Sequence, residues 1–372
     1  MNVLFIGKRF YTNRDALRER FGRIYQLPWH WAQADVRTRL WLIDYYTRET
    51  ARVRDSALEV ISTPAASWSS LRKLCAEAFT QQKSGNKAQV VVASGDCYLG
   101  LMAYRLAKRL RVRFVFDVYD KYDEFSSYHS LLGFDPFTFL LQHSDTRLFA
   151  SRALMDRVGC RVERDLVVPN GVDVQRFRPL DMCESRRALG LPEDMTFVGY
   201  FGSMEPERGV DDLIAAVRLV HDEGMPIELL LGGKLRPDLD LHQPCVRYMG
   251  NVPFDRMPAM LASCDLLSVP YRRSGLMDAG ASNKIAEAMA CGRPIVATRT
   301  PNFMANFPEQ AMELDDLLAT PGDAVDIART IRAQLARRVL VSLPNGMEWS
   351  AIASALAVEL SFSDRPASSV GA

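Results

Sequence analysis

The sequence predicts an α/β protein built from two doubly wound parallel sheets, and three observations support that fold class. Short apolar runs rich in β-branched residues alternate with amphipathic helical stretches over nearly the whole length, which is typical of parallel α/β layers. The chain has 372 residues, which is too long for one ordinary hydrophobic core. Its composition, 48% hydrophobic and 24% charged, is that of a globular protein. We therefore expect two domains of comparable size.

The two halves of the chain carry the same alternation of strands and helices. A helix is predicted over Tyr98–Leu110, where apolar residues recur every three or four positions. Strands of the first half are predicted at Asn2–Ile6, Val90–Ser94, Phe114–Phe116, Arg147–Ala150 and Leu166–Val168. Strands of the second half are predicted at Phe197–Phe201, Glu228–Leu231, Val246–Tyr248, Leu266–Val269 and Pro294–Ala297. Each half thus supplies the strands of its own sheet.

Prolines mark the predicted joint between the domains. The stretch 169–179, PNGVDVQRFRP, is rich in turn-forming residues and suited to a domain exit. We expect an N-terminal domain over residues 1–170 and a C-terminal domain over residues 171–348. A helix over about 349–362 is expected to pack back on the first domain, and the Ser/Pro/Gly-rich residues 363–372 are expected to be disordered.

Cysteine usage and charge limit the class of protein. The seven cysteines form no C-x-x-C pair and no metal-like spacing with histidine, which indicates reduced thiols in a cytosolic protein. The apolar run Val3–Ile6 is too short for a signal peptide, and no stretch approaches the roughly 18–20 apolar residues that cross a bilayer. We therefore predict a cytoplasmic location. Residues 1–170 are basic, but no nucleic-acid-binding module accompanies them, so no nucleic-acid partner is expected.

The segment 281–298, ASNKIAEAMACGRPIVAT, contains the pattern richest in chemistry, a helix that runs into a turn and a strand. A helix N-terminus presents unpaired N–H groups and partial positive charge, so Ser282 and Asn283 as caps, with Lys284 in the first turn, predict a diphosphate seat. Glu287 lies on the same helix face as Lys284, where a carboxylate can accept two hydrogen bonds from ribose hydroxyls. The alternative is a surface Lys–Glu pair on an amphipathic helix.

Small residues follow several predicted strands of the second half. Ligands of open α/β sheets gather at the carboxyl ends of strands, where small residues let a ligand approach the backbone. Arg208, before the next helix, offers a planar guanidinium group to phosphate oxygens. The further residues predicted to line this ligand site, at the strand ends, are Ser203, Gly232, Gly233, Lys234 and Val252. The alternatives are a solvated arginine and tight turns between strand and helix.

The order of these motifs resembles a known family. Five segments of this chain are similar to the C-terminal domain of the large retaining GT-B glycosyltransferase family. That family includes bacterial polysaccharide and lipid mannosyl- and glucosyltransferases. The five segments are PNGVD at 169–173, GSMEPERGVDDLIAA at 202–216, LLGGK at 230–234, GNVPFDRMPAMLASCDLLSVPY at 250–271 and NKIAEAMACGRPIVAT at 283–298. The resemblance implies two Rossmann-like domains facing across a cleft, a nucleoside-diphosphate sugar as donor and no cofactor. It makes residues 1–170 the acceptor-side domain and residues 171–348 the nucleotide-sugar-binding domain.

The chain matches some of the family's functional positions and departs from others. Glu287 matches the glutamate that holds the donor ribose, and Arg208 falls at the lysine of the family's phosphate-binding Arg/Lys pair. The position of the partner arginine is Ser203 here, and the resemblance implies that Lys284 supplies the missing cationic contact. The family's second glutamate, which contacts the sugar, is replaced by Ala279.

Three residues of the first half resemble the family less closely. Gly7 and Lys8 follow the first predicted strand, where such enzymes bring a loop over the donor phosphates. Asp96, after the strand Val90–Ser94, is predicted on the acceptor side.

The segment 116–120, FDVYD, is similar to the family's strand end that carries a His-Asp pair near the acceptor, and Tyr119 stands at the histidine position. Asp120 is predicted to contact the acceptor hydroxyl or the transferred sugar and is, with Arg208, a predicted catalytic residue. The alternative for Asp120 is a cap on the following helix.

The resemblance also implies a mechanism. In retaining members of the family the diphosphate stays bound to the C-terminal domain while its own oxygen helps to deprotonate a hydroxyl of a saccharide or lipid-linked acceptor. Cationic groups and a helix N-terminus stabilise the leaving diphosphate. That scheme needs no metal.

Arginines and aromatic residues cluster near the start of the chain. Such a mixture suits the cytoplasmic leaflet, so it predicts peripheral association with an anionic membrane surface. The alternative is that the aromatic rings pack inside the N-terminal domain and the arginines are solvated. The residues are Arg14, Arg18, Arg20, Phe21, Arg23, Tyr25, Trp29 and Trp31.

Two rival functions remain open on the sequence. A sugar-nucleotide 2-epimerase or a phosphorylase can share the two-domain shape, although no histidine of the kind an epimerase uses lies in the predicted strand-end segments. A catalytically inactive, sugar-nucleotide-binding partner subunit would fit the departures at Ser203, Ala279 and Tyr119.

Overall fold

The computed structural model describes residues 1–11, 14–66, 72, 75–77, 88–125, 128–130, 133–159 and 165–362. The chain divides into two compact units. The first unit comprises Met1–Ala150, Val158–Asn170 and Glu348–Ala372, and the second comprises Ser151–Arg157 and Gly171–Met347. The predicted disordered tail, 363–372, lies outside the described residues.

The first unit contains a sheet of eight strands in the order β10-β9-β8-β7-β1-β4-β6-β5. All neighbours in this sheet are parallel except β5 and β6, which are antiparallel. A separate antiparallel pair, β2 with β3, follows β1. The strands of the first unit are β1 Asn2–Lys8, β2 Phe10–Tyr11, β3 Arg14–Asp15, β4 Arg37–Asp44, β5 Ala51–Asp55, β6 Leu58–Pro64, β7 Val90–Ser94, β8 Arg113–Val118, β9 Thr146–Phe149 and β10 Asp165–Val167.

The second unit contains a fully parallel sheet of six strands in the order β13-β12-β11-β14-β15-β16. Buried side chains line almost every position of its central strands, as expected for a sheet covered by helices on both faces. Its strands are β11 Thr196–Phe201, β12 Ile227–Gly232, β13 Val246–Tyr248, β14 Leu266–Val269, β15 Ile295–Thr298 and β16 Leu318–Ala319.

Helices connect the parallel strands in both units. Those of the first unit are Ala16–Glu19, Arg23–Gln33, Cys97–Leu110, Pro136–His143 and Trp349–Phe362. The helix Arg152–Val158 begins within the second unit. Those of the second unit are Met182–Leu189, Val210–Asp222, Met257–Ala262, Gly275–Ala279, Asn283–Ala290, Pro301–Asn306, Pro308–Glu313 and Ala324–Arg337. None of the helices in the described ranges is both long and apolar enough to cross a bilayer.

Both sheets follow the same winding rule. In the second unit the strands taken in chain order lie in the spatial sequence third, second, first, fourth, fifth, sixth, which is the order of dinucleotide-binding folds. The parallel strands of the first unit repeat that order, with one more strand at the far edge. Ligands of such sheets bind at the carboxyl ends of the strands, where the order reverses. That point lies between β11 and β14 in the second unit and between β1 and β7 in the first.

The helix Trp349–Phe362 belongs to the core of the first unit. Trp349, Ile352 and Leu356 pack in the same buried cluster as Phe5 and Trp31. The indole Nε1 of Trp31 donates a hydrogen bond to the Ala353 carbonyl over 2.7 Å. The last described helix therefore completes a core that begins with the first strand.

Each predicted strand overlaps an observed one, and the predicted fold class is confirmed. The predicted strands do not include β2, β3, β4, β5, β6 and β16. One boundary is corrected, because β1 continues through Gly7 and Lys8, which were placed in a loop after the strand. Both residues pair in register with β4, so they belong to the carboxyl end of the strand itself.

Candidate functional site

Two glycine turns abut at the carboxyl ends of β11 and β12. The Gly202 N–H donates to the Gly232 carbonyl over 2.7 Å, and the Gly233 N–H donates to the Gly250 carbonyl over 2.8 Å. Gly233 has a φ of +124°, and a Cβ atom there would lie 2.2 Å from the Gly202 carbonyl oxygen. A side chain at Gly233 would therefore force the two turns apart.

The Lys284 side chain lies across the first of these turns. A Cβ atom on Gly202 would stand 2.4 Å from Lys284 Cε and 2.8 Å from its Nζ. The ammonium group donates a hydrogen bond to the Tyr271 hydroxyl at 3.5 Å and lies 5.8 Å from the centre of the Tyr200 ring. A cation from the helix Asn283–Ala290 thus reaches the turn after β11, where the family arginine is replaced by serine.

Tyr271 lies at the point where the strand order reverses, two residues beyond the end of β14. Only 2% of its surface is exposed. Its hydroxyl lies 3.0 Å from Ser282 Oγ, and its carbonyl accepts a hydrogen bond from Thr298 Oγ1 over 2.6 Å. These contacts fix both ends of the residue, so the phenol has a defined position beside Lys284.

Arg208 approaches the same ring from the turn before the helix Val210–Asp222. Its guanidinium carbon lies 5.2 Å from the centre of the Tyr271 ring. Gly209, with a φ of +69°, brings this turn so close to β14 that a Cβ atom there would collide with the Pro270 carbonyl oxygen. Two cations from different elements therefore share one aromatic ring.

The two cations change the acidity of the phenol between them. Burial by itself raises the pKa of Tyr271. The positive charges of Lys284 and, to a smaller extent, Arg208 have the opposite effect and outweigh burial, so the pKa falls to about 8. Burial, with the neighbouring Tyr271, raises the pKa of Tyr200. The site therefore favours negative charge at this position, which is the property expected of an anion-binding site.

The start of the helix Asn283–Ala290 differs from the prediction in one respect. Ser282 occupies the N-cap position, but its side chain makes no capping hydrogen bond and is directed at Tyr271 instead. The predicted side-chain cap is therefore wrong, because the phenol competes for the serine hydroxyl. Asn283 is the first residue of the helix, and Glu287, one turn further along, is half-buried.

The remaining predicted donor-site residues contribute mainly backbone. The Ser203 carbonyl accepts a hydrogen bond from the Tyr200 hydroxyl over 2.7 Å, and the Lys234 carbonyl accepts one from the Met204 N–H over 3.1 Å. The Lys234 side chain is exposed. Val252 packs against Gly232, where a Cβ atom would lie 2.7 Å from Val252 Cγ2.

At the point of strand reversal in the first unit, Lys8 faces Asp96. Lys8 Nζ lies 3.9 Å from Asp96 Oδ2 and 5.3 Å from the centre of the Tyr45 ring. Asp96 Oδ1 caps the helix Cys97–Leu110 by accepting the Leu99 N–H over 2.8 Å. Burial raises the pKa of Asp96, an effect that the Leu99 N–H and Lys8 partly offset. The structure therefore gives Asp96 a capping role alongside its predicted place on the acceptor side.

Asp120 is held by an aromatic pair. It accepts a hydrogen bond from the Tyr11 hydroxyl, and the Tyr11 ring stacks on that of Tyr119 with the ring centres 4.7 Å apart. Burial and the Asp120 charge raise the pKa of Tyr11. Tyr11 thus presents a neutral hydroxyl donor to Asp120, which lies two residues beyond the carboxyl end of β8.

Three residues of the predicted membrane surface lie inside the first unit, which corrects that interpretation of them. Trp31 and Tyr25 are buried in the core, and Arg23 is fully buried with its guanidinium group paired to Asp117 at 2.7 Å. All three are among the buried residues of the helix Arg23–Gln33, most of whose surface is covered. Arg18 and Arg20 are the exposed arginines of the group, with 75% and 60% of their side chains accessible.

Tyr11, Tyr200 and Tyr271 are the members of these sites that sequence reasoning missed. Tyr200 lies within β11 and Tyr271 lies just beyond β14. These strands are neighbours in the sheet, with Gly199 paired to Leu267, although β12 and β13 lie between them in the chain. The signal that could have found Tyr271 is its position directly after a predicted strand, the rule applied to the glycine turns.

The second unit matches a known domain family. Residues 196–337, from the first residue of β11 to the end of the helix Ala324–Arg337, match the model of the family described as Glycosyl transferases group 1.

Curated proteins similar to this chain include two actinobacterial enzymes. A D-inositol 3-phosphate glycosyltransferase of Geodermatophilus obscurus is 30% identical over 217 residues, covering 52% of this chain and 45% of that protein. A GDP-mannose-dependent monoacylated alpha-(1-6)-phosphatidylinositol monomannoside mannosyltransferase of Corynebacterium glutamicum is 30% identical over 141 residues, covering 35% of this chain and 37% of that protein. The chain therefore matches less than half the length of either relative.

Solved structures resemble the chain over nearly its whole length. A sucrose-phosphate synthase from Thermosynechococcus elongatus superposes with a TM-score of 0.68 at 18% identity, covering 97% of this chain and 98% of that one. The Anabaena HepE protein in complex with UDP and glucose gives a TM-score of 0.62 at 19% identity, covering 96% and 95%. At these identities the likeness establishes the fold, which is GT-B. Residues 196–337 form a Glycosyl transferases group 1 domain within a chain of the GT-B fold.

Proposed function

We propose that this chain is a glycosyltransferase that moves a sugar from a nucleoside-diphosphate sugar to a hydroxyl group of a saccharide or lipid-linked acceptor. The observation that carries the proposal is the pair of cations, Lys284 and Arg208, on either side of Tyr271 at the strand reversal of the second unit. Phosphates bind at such reversals because backbone N–H groups and helix N-termini point to them.

The donor-binding half of the proposal rests on the second unit. The glycine turn at Gly202 gives a phosphate access to the backbone, Lys284 and Arg208 supply charge, and Glu287 lies one turn along the helix from Lys284. That spacing suits a diphosphate followed by its ribose. The names of the similar proteins support a nucleotide donor, since one is GDP-mannose-dependent and one was solved with UDP and glucose.

The proposed reaction forms one bond and breaks one at the donor sugar. The acceptor oxygen bonds to the anomeric carbon as the bond from that carbon to the diphosphate breaks. The acceptor proton passes to the departing diphosphate oxygen, and attack on the face of departure retains the configuration. Lys284 and Arg208 stabilise the negative charge that develops on the diphosphate, an effect worth several kcal/mol of barrier at about 3 kcal/mol for each well-placed donor. Asp120, in the first unit, is proposed to bind the acceptor hydroxyl or the transferred sugar.

A lipid-linked acceptor would place the protein at an anionic membrane surface. The mannosyltransferase relative is named for a phosphatidylinositol-based acceptor, which supports this class. Of the predicted surface residues, Arg18 and Arg20 are exposed and able to contact lipid phosphates. Flotation with anionic and neutral vesicles tests the proposal. Binding to anionic vesicles that Arg18→Glu with Arg20→Glu abolishes would support it, and equal lack of binding to both vesicles would refute it.

The test of the proposed function is a panel of nucleoside-diphosphate sugars with uridine, guanosine, adenosine and thymidine bases. We expect one base to bind and its sugar nucleotide to be consumed with release of nucleoside diphosphate, at an undiminished rate in EDTA. Loss of turnover in EDTA would overturn metal independence alone. Binding without turnover across donors and acceptors would identify the inactive partner subunit, and interconversion of free sugar nucleotides would identify an epimerase. No binding of any nucleotide would overturn the function.

A further inference from the structure

The Tyr271 hydroxyl takes the position that a bound anion would use. It accepts a hydrogen bond from Lys284 Nζ at 3.5 Å, lies 3.0 Å from Ser282 Oγ, and belongs to a ring over which Arg208 is placed at 5.2 Å. The residue is 98% buried, since 2% of its surface is exposed, so these charges act on it through a medium of low polarity. Besides cysteine, tyrosine is the only ordinary side chain that is an uncharged acid at pH 7 and becomes an anion at higher pH.

We propose that Tyr271 is a positioning residue that holds Lys284 and Ser282 in place by acting as a surrogate anion, and that a diphosphate replaces it in this role when it binds. The inference rests on the proposed function, since it concerns the same phosphate site. In the ligand-free protein the phenol gives up its proton to solvent more readily because two cations face it. When a diphosphate binds, Lys284 and Arg208 pair with its negative charge instead, and the phenolate of Tyr271 takes up a proton from solvent.

The groups that face Tyr271 from each neighbouring element agree with this exchange. Lys284 comes from the helix Asn283–Ala290, and Arg208 comes from the turn before the helix Val210–Asp222. Tyr200 comes from β11, and burial with the nearby Tyr271 raises its pKa, so it stays neutral. The negative charges of Glu207 and Glu205 also raise the pKa of Tyr200, by less than burial does. Two cations therefore dominate the surroundings of the phenol.

The acidity of the phenol gives the exchange a measurable pH range. Burial raises the pKa of Tyr271, and Lys284 with Arg208 lowers it, to about 8. A diphosphate binds better to the neutral phenol than to the phenolate, so its affinity is highest below pH 8 and falls as pH rises through that value. By reciprocity, a bound diphosphate lowers the acid dissociation constant of Tyr271 by the factor that separates its affinities for the two forms, and this raises the pKa.

The first experiment needs no nucleotide. Tyrosinate absorbance is followed between about pH 6.5 and about pH 9.5 in the wild type, Tyr271→Phe and the control Tyr104→Phe. Tyr104 belongs to the first unit, where its ring lies against Phe114, Phe139, His143 and the Lys108 ammonium group. We expect a transition near pH 8 in the wild type and the control that is absent from Tyr271→Phe and moves upward in Lys284→Met. Inorganic pyrophosphate should also move it upward. A transition that survives Tyr271→Phe, or that pyrophosphate leaves unmoved, would overturn the proposal.

The second experiment measures the affinity for nucleoside diphosphate over the same pH range. For the wild type we expect about a tenfold loss between pH 7 and pH 9, with proton uptake on binding, and for Tyr271→Phe a weaker but nearly pH-independent affinity. A role that is only structural would lower the affinity of Tyr271→Phe and leave the pH dependence intact, which would refute the proposal. If pyrophosphate moves the transition but no nucleotide binds, the exchange stands and the proposed function fails.

Discussion

The Lys284 side chain lies directly over the Gly202 backbone, so that a Cβ atom on Gly202 would stand 2.4 Å from Lys284 Cε. The family resemblance assigns a cation to the residue after this glycine, where the chain has Ser203. The lysine reaches that place from a different element, which explains how the turn can keep a positive charge without an arginine of its own.

Substitution of Gly202 by alanine should displace this lysine. The φ of +151° at Gly202 disfavours a side chain, and the Lys284 stem must move out of the way, so we expect about 1–2 kcal/mol of destabilisation and a loss of nucleoside-diphosphate affinity. Urea unfolding and calorimetric titration measure the two effects. Gly224→Ala is the matched control, because Gly224 also has positive φ but nothing within 4 Å of a Cβ atom. It should lose stability and keep affinity; equal affinities for the two variants would contradict the assignment.

Glu287→Ala should weaken nucleoside-diphosphate binding by about 1–3 kcal/mol, because a buried hydrogen-bonded contact to the ribose would be lost. Glu287 is half-buried on the helix that carries Lys284. Calorimetric titration with the base that the panel identifies gives the difference. Glu313→Ala, at an exposed position at the end of another helix of the same unit, should bind as the wild type does. An undiminished affinity in Glu287→Ala would remove the ribose contact from the proposed site.

Asp120→Asn should separate acceptor chemistry from donor binding. Asp120 belongs to the first unit and accepts a hydrogen bond from Tyr11, whereas the proposed diphosphate site belongs to the second. We expect the transfer rate to fall by about 10²-fold or more while the affinity for nucleoside diphosphate stays within twofold. Steady-state kinetics and titration test the pair, with Asp35→Asn as the control at an exposed aspartate of the same unit. A matching loss of affinity would show that Asp120 acts on the donor.

Arg23→Met should destabilise the protein by about 3–5 kcal/mol, because it leaves the Asp117 carboxylate buried without its partner. The Ser94 hydroxyl also donates to Asp117, over 2.7 Å, but a neutral donor cannot offset the lost charge. Arg18→Met, at an exposed arginine nearby, should change the free energy of unfolding by less than about 1 kcal/mol. Denaturant unfolding gives both values. Similar losses in the two variants would contradict the buried ion pair.

The sequence predicts the central strands well because parallel strands covered on both faces are continuous apolar runs. Strands β4 and β6 escape prediction because both contain charged residues. Arg37, Arg39 and Asp44 leave β4 only four consecutive apolar residues, and Glu59 interrupts the apolar residues of β6. Arg39 of β4 stands in register with Glu59 of β6, and its Nε donates to that carboxylate over 2.8 Å. In the linear sequence each charge resembles a loop residue, and only the pairing of the two strands neutralises it.

The site is predicted in part, for a related reason. Lys284 and Glu287 share one short helix, so their spacing is visible in the sequence. The approach of Lys284 to Gly202, and of Arg208 to Tyr271, depends on the order in which the strands lie in the sheet. That order is fixed by the winding of the whole unit, and no local pattern reports it.

The placement of the helix Trp349–Phe362 in the first unit has a consequence for biosynthesis. A ribosome makes the rest of the first unit and then the entire second unit before it reaches that helix. Until then the inward face of the helix Arg23–Gln33 lacks the partner that covers Trp31 and accepts its indole N–H. The second unit can thus fold while the first still exposes apolar surface to solvent, and a nascent chain stalled at that stage is the form most exposed to aggregation or to capture by a chaperone.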